Sequence, residues 1–178
     1  MAVGERDRHL VERRESELRR VKEPGFPVTS PIAKRSTILP GSISGEGGRW
    51  EYCGPPTFQS QLETLRLMVR DSREFKVLRQ QLHRLMARAE IGKLTYGKSD
   101  DVVEIRREPS VLELRLTTTV QFPNEKRKVR LYFSEPDLLD GVLLASKIAG
   151  KPATEAGLDL QDEHTEYAFE MMKVFLVT

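Results

Sequence analysis

The sequence predicts an α+β fold: a helical hairpin and a C-terminal helix packed on a largely antiparallel sheet of four to five strands, behind an extended, charged N-terminal arm. Three observations point there. Apolar residues recur at three- and four-residue spacing in two consecutive segments, 58–69 and 75–89, and again at about 160–175, which is the period of an amphipathic helix. Between them, segments 101–107, 111–120, 126–133 and 141–149 show alternating or continuously apolar patterns of strand length,. Helices set apart from a run of consecutive strands give α+β layers rather than βαβ units.

Residues 1–22 form the arm, dense in Glu, Asp, Arg and Lys, with Leu10, Leu18 and Val21 as one thin apolar line at helical spacing. Charge pairs at i,i+4 add only about 0.2–0.5 kcal/mol each. The arm reads either as a frayed, solvated helix or as a segment that docks on a partner or on RNA phosphates. Residues 23–48 are a linker by composition, because Pro24, Pro27, Pro31 and Pro40, with Gly41, Gly45, Gly47 and Gly48, interrupt any long helix,. The compact domain spans 49–178 and opens on a short strand, RWEYC at 49–53.

Phe58, Leu62, Leu65 and Val69 mark the first helix. Asp71 and Glu74 have the spacing of a capping box. Phe75, Leu78, Leu82, Leu85, Met86 and Ala89 carry the second helix to a stop at Gly92,. DVVEIRR (101–107) is a short strand. In VLELRLTTTV (111–120), Leu112, Leu114, Leu116 and Val120 point one way; Glu113, Arg115, Thr117 and Thr119 point the other,. After the turn Phe122–Glu125, KRKVRLYF (126–133) places Arg127, Val129, Leu131 and Phe133 on one face and Lys126, Lys128, Arg130 and Tyr132 on the other. GVLLASKIA (141–149) is apolar almost throughout, as a strand covered on both faces is, and Gly150-Lys151-Pro152 ends it. Asp159 is the expected N-cap of the last helix, whose inner side is expected at Leu160, His164, Tyr167, Ala168, Met171 and Phe175.

Net charge is only +2, so no global field draws the chain to nucleic acid or anionic lipid, and such a partner has to be met by a local patch,. The single cysteine, Cys53, leaves neither a disulfide nor a cysteine metal cluster, which fits a reducing compartment,. The first residues lack the apolar core of a secretory signal, and no apolar run approaches the ~20 residues of a membrane span. A cytoplasmic location with no membrane partner is expected. His9, His83 and His164 lack metal-ligand spacing, and no glycine-rich phosphate loop precedes a helix,. No metal and no cofactor are expected.

LELRL (112–116), KVRLYF (128–133) and VLLASKIAGKP (142–152), preceded by a helical hairpin and followed by an amphipathic helix, resemble the RelE/ParE superfamily of bacterial type II toxin–antitoxin toxins. The first stretch is similar to that family's YELR-type strand and the second to its YRVLYF-type strand. The third is similar to its last strand, which ends in a basic loop. The likeness covers roughly 49–176. It implies a toxin that cuts translated messenger RNA at the ribosome, as RelE-type members do, or that poisons gyrase, as ParE-type members do. It also implies a cognate antitoxin as partner.

Metal-free RNA cleavage needs a base for the 2′-hydroxyl, cations for the phosphate and an acid for the departing 5′-oxygen. Arginine forks onto two phosphate oxygens and stays charged; a lysine desolvated beside other cations titrates nearer neutrality and can act as a base. By resemblance, Arg115, either Lys128 or Arg130, Lys151, and either Tyr167 or His164 match the family's catalytic positions. Arg106, Arg107, Lys126, Arg127 and Lys147 are candidate RNA contacts beside them. Each has a plainer reading. Lys126, Arg127 and Lys128 suit a solvated strand that resists edge-to-edge aggregation. Arg106 and Arg107 suit surface charge at a strand end, and His164 and Tyr167 suit helix packing. Glu113 stands where the most active members carry a basic residue. With the long arm, it supports a second reading: a non-catalytic interaction protein on a RelE-like scaffold, whose arm orders within a larger assembly.

Overall fold

A computed structural model of the chain describes residues 10–12, 42–43, 47–54, 56–97, 101–105, 107–108, 110–136, 139, 141–152 and 156–177. In chain order the elements are β1 (Leu10–Glu12), β2 (Ser42–Ile43), β3 (Arg49–Tyr52), α1 (Phe58–Met68), α2 (Ser72–Glu90), β4 (Thr95–Tyr96), β5 (Val102–Glu104), β6 (Leu112–Gln121), β7 (Lys126–Ser134), β8 (Val142–Pro152) and α3 (Ala156–Val177). The strands form one sheet in the order β1-β3-β8-β7-β6-β5-β4-β2. β5 through β8 pair antiparallel in succession, as do β2 and β4, whereas β1 with β3, β3 with β8 and β4 with β5 are parallel.

The α+β layering agrees with the hydrophobic periodicity. The sheet is larger than expected and mixed rather than largely antiparallel. Two of the additional strands, Thr95–Tyr96 and Ser42–Ile43, are two residues long, too short for a period to register. Leu10–Glu12, read as part of a helical arm, instead forms the edge of the sheet, pairing parallel with β3, whose outer row of backbone donors and acceptors competes with a helix that has only one thin apolar line to pack. The rest of the arm and most of the linker lie outside the described residues, as does Arg106.

The alternation in β6 and β7 divides the core between two layers. On one face α1 lies over β8 and α2 over β6. Leu62, Leu65, Leu78 and Leu82 meet Leu114, Leu131 and Phe133 there. Leu114 is fully buried, so truncation to alanine costs about 2–5 kcal/mol. On the other face Ala168, Met172 and Phe175 of α3 pack on Tyr132, Leu144 and Ala149. β8 is sandwiched between the layers, as its apolar run implies.

Polar side chains fix the corners. Asp71 caps α2 by accepting the Arg73 N–H at 2.8 Å. Glu74 does not complete a local capping box; it accepts the Gln121 N–H at 2.7 Å and ties the start of α2 to the end of β6. Gly92, at φ 65°, ends that helix in a conformation that suits glycine,. The β6–β7 register shifts between Arg115 and Thr119. Buried Gln81 of α2 reaches this irregularity and accepts from the Thr118 N–H and hydroxyl at 3.1 and 2.8 Å.

β8 continues through Gly150 and Lys151 to Pro152, three residues beyond its expected end. The Ile148 N–H points away from β7, toward Gln61 of α1, and by alternation position 152 faces the same open edge. A proline there gives up no ladder bond. α3 begins at Ala156, so Asp159 lies inside its first turn, not at the cap. There its carboxylate complements the helix dipole. The helix is also turned by about one residue from the expected face: Thr165, Ala168, Met172 and Phe175 are its buried positions.

Candidate functional site

The face of the sheet beneath α3 is polar at its centre. Strand register places Glu113 opposite Tyr132 and Tyr132 opposite Lys147; Arg115 opposite Arg130 and Arg130 opposite Ala149; and Lys128 opposite Lys151. Directly opposed residues have Cβ atoms about 4.5–5.5 Å apart, a distance at which like charges repel. Glu113 relieves the Arg115–Arg130 pair. Its carboxylate is fully buried and accepts from Arg130 Nε at 3.0 Å, Arg115 Nε at 3.2 Å and Gln161 Nε2 of α3 at 2.8 Å. Arg130 is also buried, and its Nη1 donates to the Leu116 and Val129 carbonyls, both at 2.9 Å. A buried guanidinium is tolerable only with such partners. Lys151 donates to the amide oxygen of Gln161, so that one α3 side chain bridges carboxylate and ammonium.

Burial sets the proton affinities around this network. It lowers the Lys151 ammonium; Glu113 opposes that effect, and Arg130, Arg115 and Lys128 reinforce it. Burial also lowers Lys147 and Arg130, the latter partly restored by Glu113. The Tyr132 hydroxyl is raised by burial and by Glu113, and it has no hydrogen-bond partner among the described residues. His164 is pulled down to about 4, first by burial and then by Lys147 and Arg127. Its imidazole is therefore neutral at pH 7. Its ring lies 5.9 Å from that of Tyr132, and Lys147 Nζ sits 4.9 Å from the centre of the Tyr167 ring.

Four of the five proposed catalytic residues, Arg115, Lys128, Arg130 and Lys151, thus share one face around Glu113. The fifth, Tyr167, reaches the neighbouring rung through Lys147. The candidate RNA contacts scatter. Arg107 pairs with Asp162 at 2.8 Å at the rim of α3. Lys126 is exposed opposite Gln121. Arg127 lies on the other face of the sheet, bound to Glu125 at 2.8 Å and stacked 5.1 Å from the Phe122 ring centre. The buried Cys53 thiol is pushed up to about 12 by burial, too high for a nucleophile at neutral pH. Gln161 was not foreseen. Its signal was the spacing 161, 165, 168, 172 and 175, masked because its first two members, Gln161 and Thr165, are polar.

Comparison with models of known families, with curated proteins and with solved structures gave no match. Among the described residues, no helix is long and apolar enough to cross a membrane.

Proposed function

We propose that the chain is a RelE-like toxin of a bacterial toxin–antitoxin pair, a metal-independent endoribonuclease acting on translated messenger RNA and restrained by a cognate antitoxin. The observation that carries this reading is the gathering of Arg115, Lys128, Arg130 and Lys151 on one face, across three adjoining strands. The strand–helix–helix–strand order and the LELRL and KVRLYF strands support it by resemblance.

Each residue has a role that suits its surroundings. Lys151, lowered by burial among cations, takes the 2′-hydroxyl proton in its neutral form,. The 2′-oxygen attacks phosphorus and the bond to the 5′-oxygen breaks. The half-buried Arg115 and the exposed Lys128 neutralise the pentavalent phosphate,. The lysine returns its proton to the leaving oxygen, which gives a 2′,3′-cyclic phosphate and a 5′-hydroxyl. Arg130 and Glu113 are positioning residues, and Tyr167 offers a face on which a base can stack. α3 covers these groups through Gln161, so RNA requires that contact to open.

A second reading is favoured by Glu113 itself. A carboxylate that already engages both arginines makes the face a structural lock, and the protein a non-catalytic interaction module. Inducing the protein in a bacterial host, beside Arg115→Ala and Lys151→Ala, separates the two. Growth arrest with cuts in translated messages, relieved by either substitution, supports the nuclease. Unchanged growth and intact messages support the interaction module.

A further inference from the structure

β3 pairs with β8 only over Val142–Ala145. Beyond it, two side chains meet the edge of β8: Tyr52 Oη donates to the Ser146 carbonyl at 2.6 Å, and Gln61 accepts the Ile148 N–H at 2.8 Å while its Nε2 approaches the same carbonyl at 3.5 Å. Next to this substitute strand lies a half-open cavity of about 240 Å³ between α1 and α3, floored by Lys147–Gly150. It lies just below the roughly 300–1,000 Å³ of pockets for drug-sized ligands and is half open, so it suits a ligand of mononucleotide size that stays partly exposed at the mouth.

Its walls divide by chemistry. Leu65, Met68, Phe122 and Ile148 are apolar, and Arg127 and Lys147 bring two cations. No carboxylate lines it among the described residues, although Arg127 Nε and Nη2 both donate to Glu125 outside the lining. His164 also lines it, and its Nδ1 is buried without a hydrogen-bond partner among the described residues. The Phe122 wall is built in: a Cβ on Gly150 would lie 2.6 Å from Phe122 Cζ, so only glycine lets the ring rest on β8.

We infer that this cavity is a nucleotide-binding pocket, in which the apolar walls hold a base, His164 Nδ1 and the Gln61–Thr64 side of α1 bond its edge, and Arg127 and Lys147 hold the phosphate. The nucleotide is free or is one unstacked residue of an RNA strand. The inference rests on the RNA reading above and extends it to the far side of β8 from Arg130. The neutral state of His164 leaves one ring nitrogen as an acceptor for a base N–H.

The test is binding of adenosine 5′-monophosphate to the full chain by titration calorimetry, with the imidazole signals of His164 followed by NMR. Adenosine, inorganic phosphate and a triadenylate serve as comparison probes. The monophosphate is expected to shift the His164 signals and to bind at least about tenfold more tightly than adenosine or phosphate alone. Lys147→Gln is expected to weaken it by about tenfold, the scale of one charge-assisted phosphate contact. Met68→Trp, which fills the mouth from an exposed helix position, is expected to abolish it with the fold retained. Tighter binding of the triadenylate assigns the pocket to an RNA strand; tighter binding of the monophosphate assigns it to a free nucleotide. Equal binding of phosphate and monophosphate, or binding unchanged in Met68→Trp, overturns the proposal. The readout is binding, so cleavage retained without nucleotide binding refutes the pocket alone. Nucleotide binding retained without cleavage refutes the nuclease alone.

Discussion

Glu113→Gln is the substitution that most directly probes the network under α3. It keeps the shape of the side chain and one carbonyl acceptor but removes the charge shared by Arg130 and Arg115. Arg130 is 8% exposed, so its guanidinium is left buried without a counter-charge. Breaking such a pair by removing one partner costs about 3–5 kcal/mol. Arg115, whose side chain is 30% exposed, recovers water and adds no more than about 1 kcal/mol. For a chain of this size each kcal/mol lowers Tm by about 2–4 °C, so a fall of about 6–24 °C is expected. Urea unfolding reads the free energy, with an unchanged m-value showing that the denatured state is unaltered. The double variant Glu113→Leu/Arg130→Met is expected to recover most of the loss, because an apolar pair of similar volume avoids the desolvation of both charges. A loss below about 1 kcal/mol for Glu113→Gln, or strictly additive effects in the double variant, would refute the account of a buried, mutually dependent ion network.

Three further outcomes follow from the same structure. His164 has its folded pKa lowered from 6.5 to about 4. The unfolded chain therefore binds the proton first, and the stability due to the neutral ring is full above pH 6.5 and lost as pH falls toward 4. Allowing for solvent screening around a part-exposed ring, the loss is about 1–2 kcal/mol. It should be missing from the difference between wild type and His164→Gln in urea melts at pH 7 and pH 4 if the ring is not buried neutral. The Cys53 thiol, buried and raised to about 12, should resist a thiol reagent at pH 8 in the folded protein and react at once in denaturant; immediate labelling of the native chain contradicts its burial. Gly150→Ala should cost about 1–3 kcal/mol, the range for overpacking, because its Cβ would meet the Phe122 ring; a neutral effect in thermal melts contradicts that close approach.

Much of the compact domain could be read before it was seen. The helices α1 and α2, the division of β6 and β7 into apolar and polar faces, and the double burial of β8 all follow from periodicity. What periodicity does not carry is pairing. The parallel contact of β3 with β8 joins residues 49–52 to 142–145, and nothing local in either segment encodes the partner. The site shows the same division. Arg115, Lys128 and Arg130 were found because alternation places them on one face, and Lys151 through the resemblance alone. Their state was not, because it depends on Gln161, which arrives from a helix almost fifty positions after Glu113. α3 was misread by about one residue because its inner face begins with polar Gln161 and Thr165. Thr165 is buried and Gln161 partly so, turned to a sheet that is polar beneath them too. Arg127 was grouped with its neighbours by composition, although strand geometry turns it to the opposite face, onto Phe122.

The most direct test of the central claim is to incubate the purified protein with translating ribosomes on a defined message and identify the chemical ends of any fragments. Cuts are expected within the translated region, leaving a 2′,3′-cyclic phosphate and a 5′-hydroxyl, with the rate reduced at least about a hundredfold in Lys151→Ala, the scale of losing a general base. An intact message, or fragments that Lys151→Ala produces at the wild-type rate, contradicts the claim and leaves the buried carboxylate at Glu113 as the sign of a binding module.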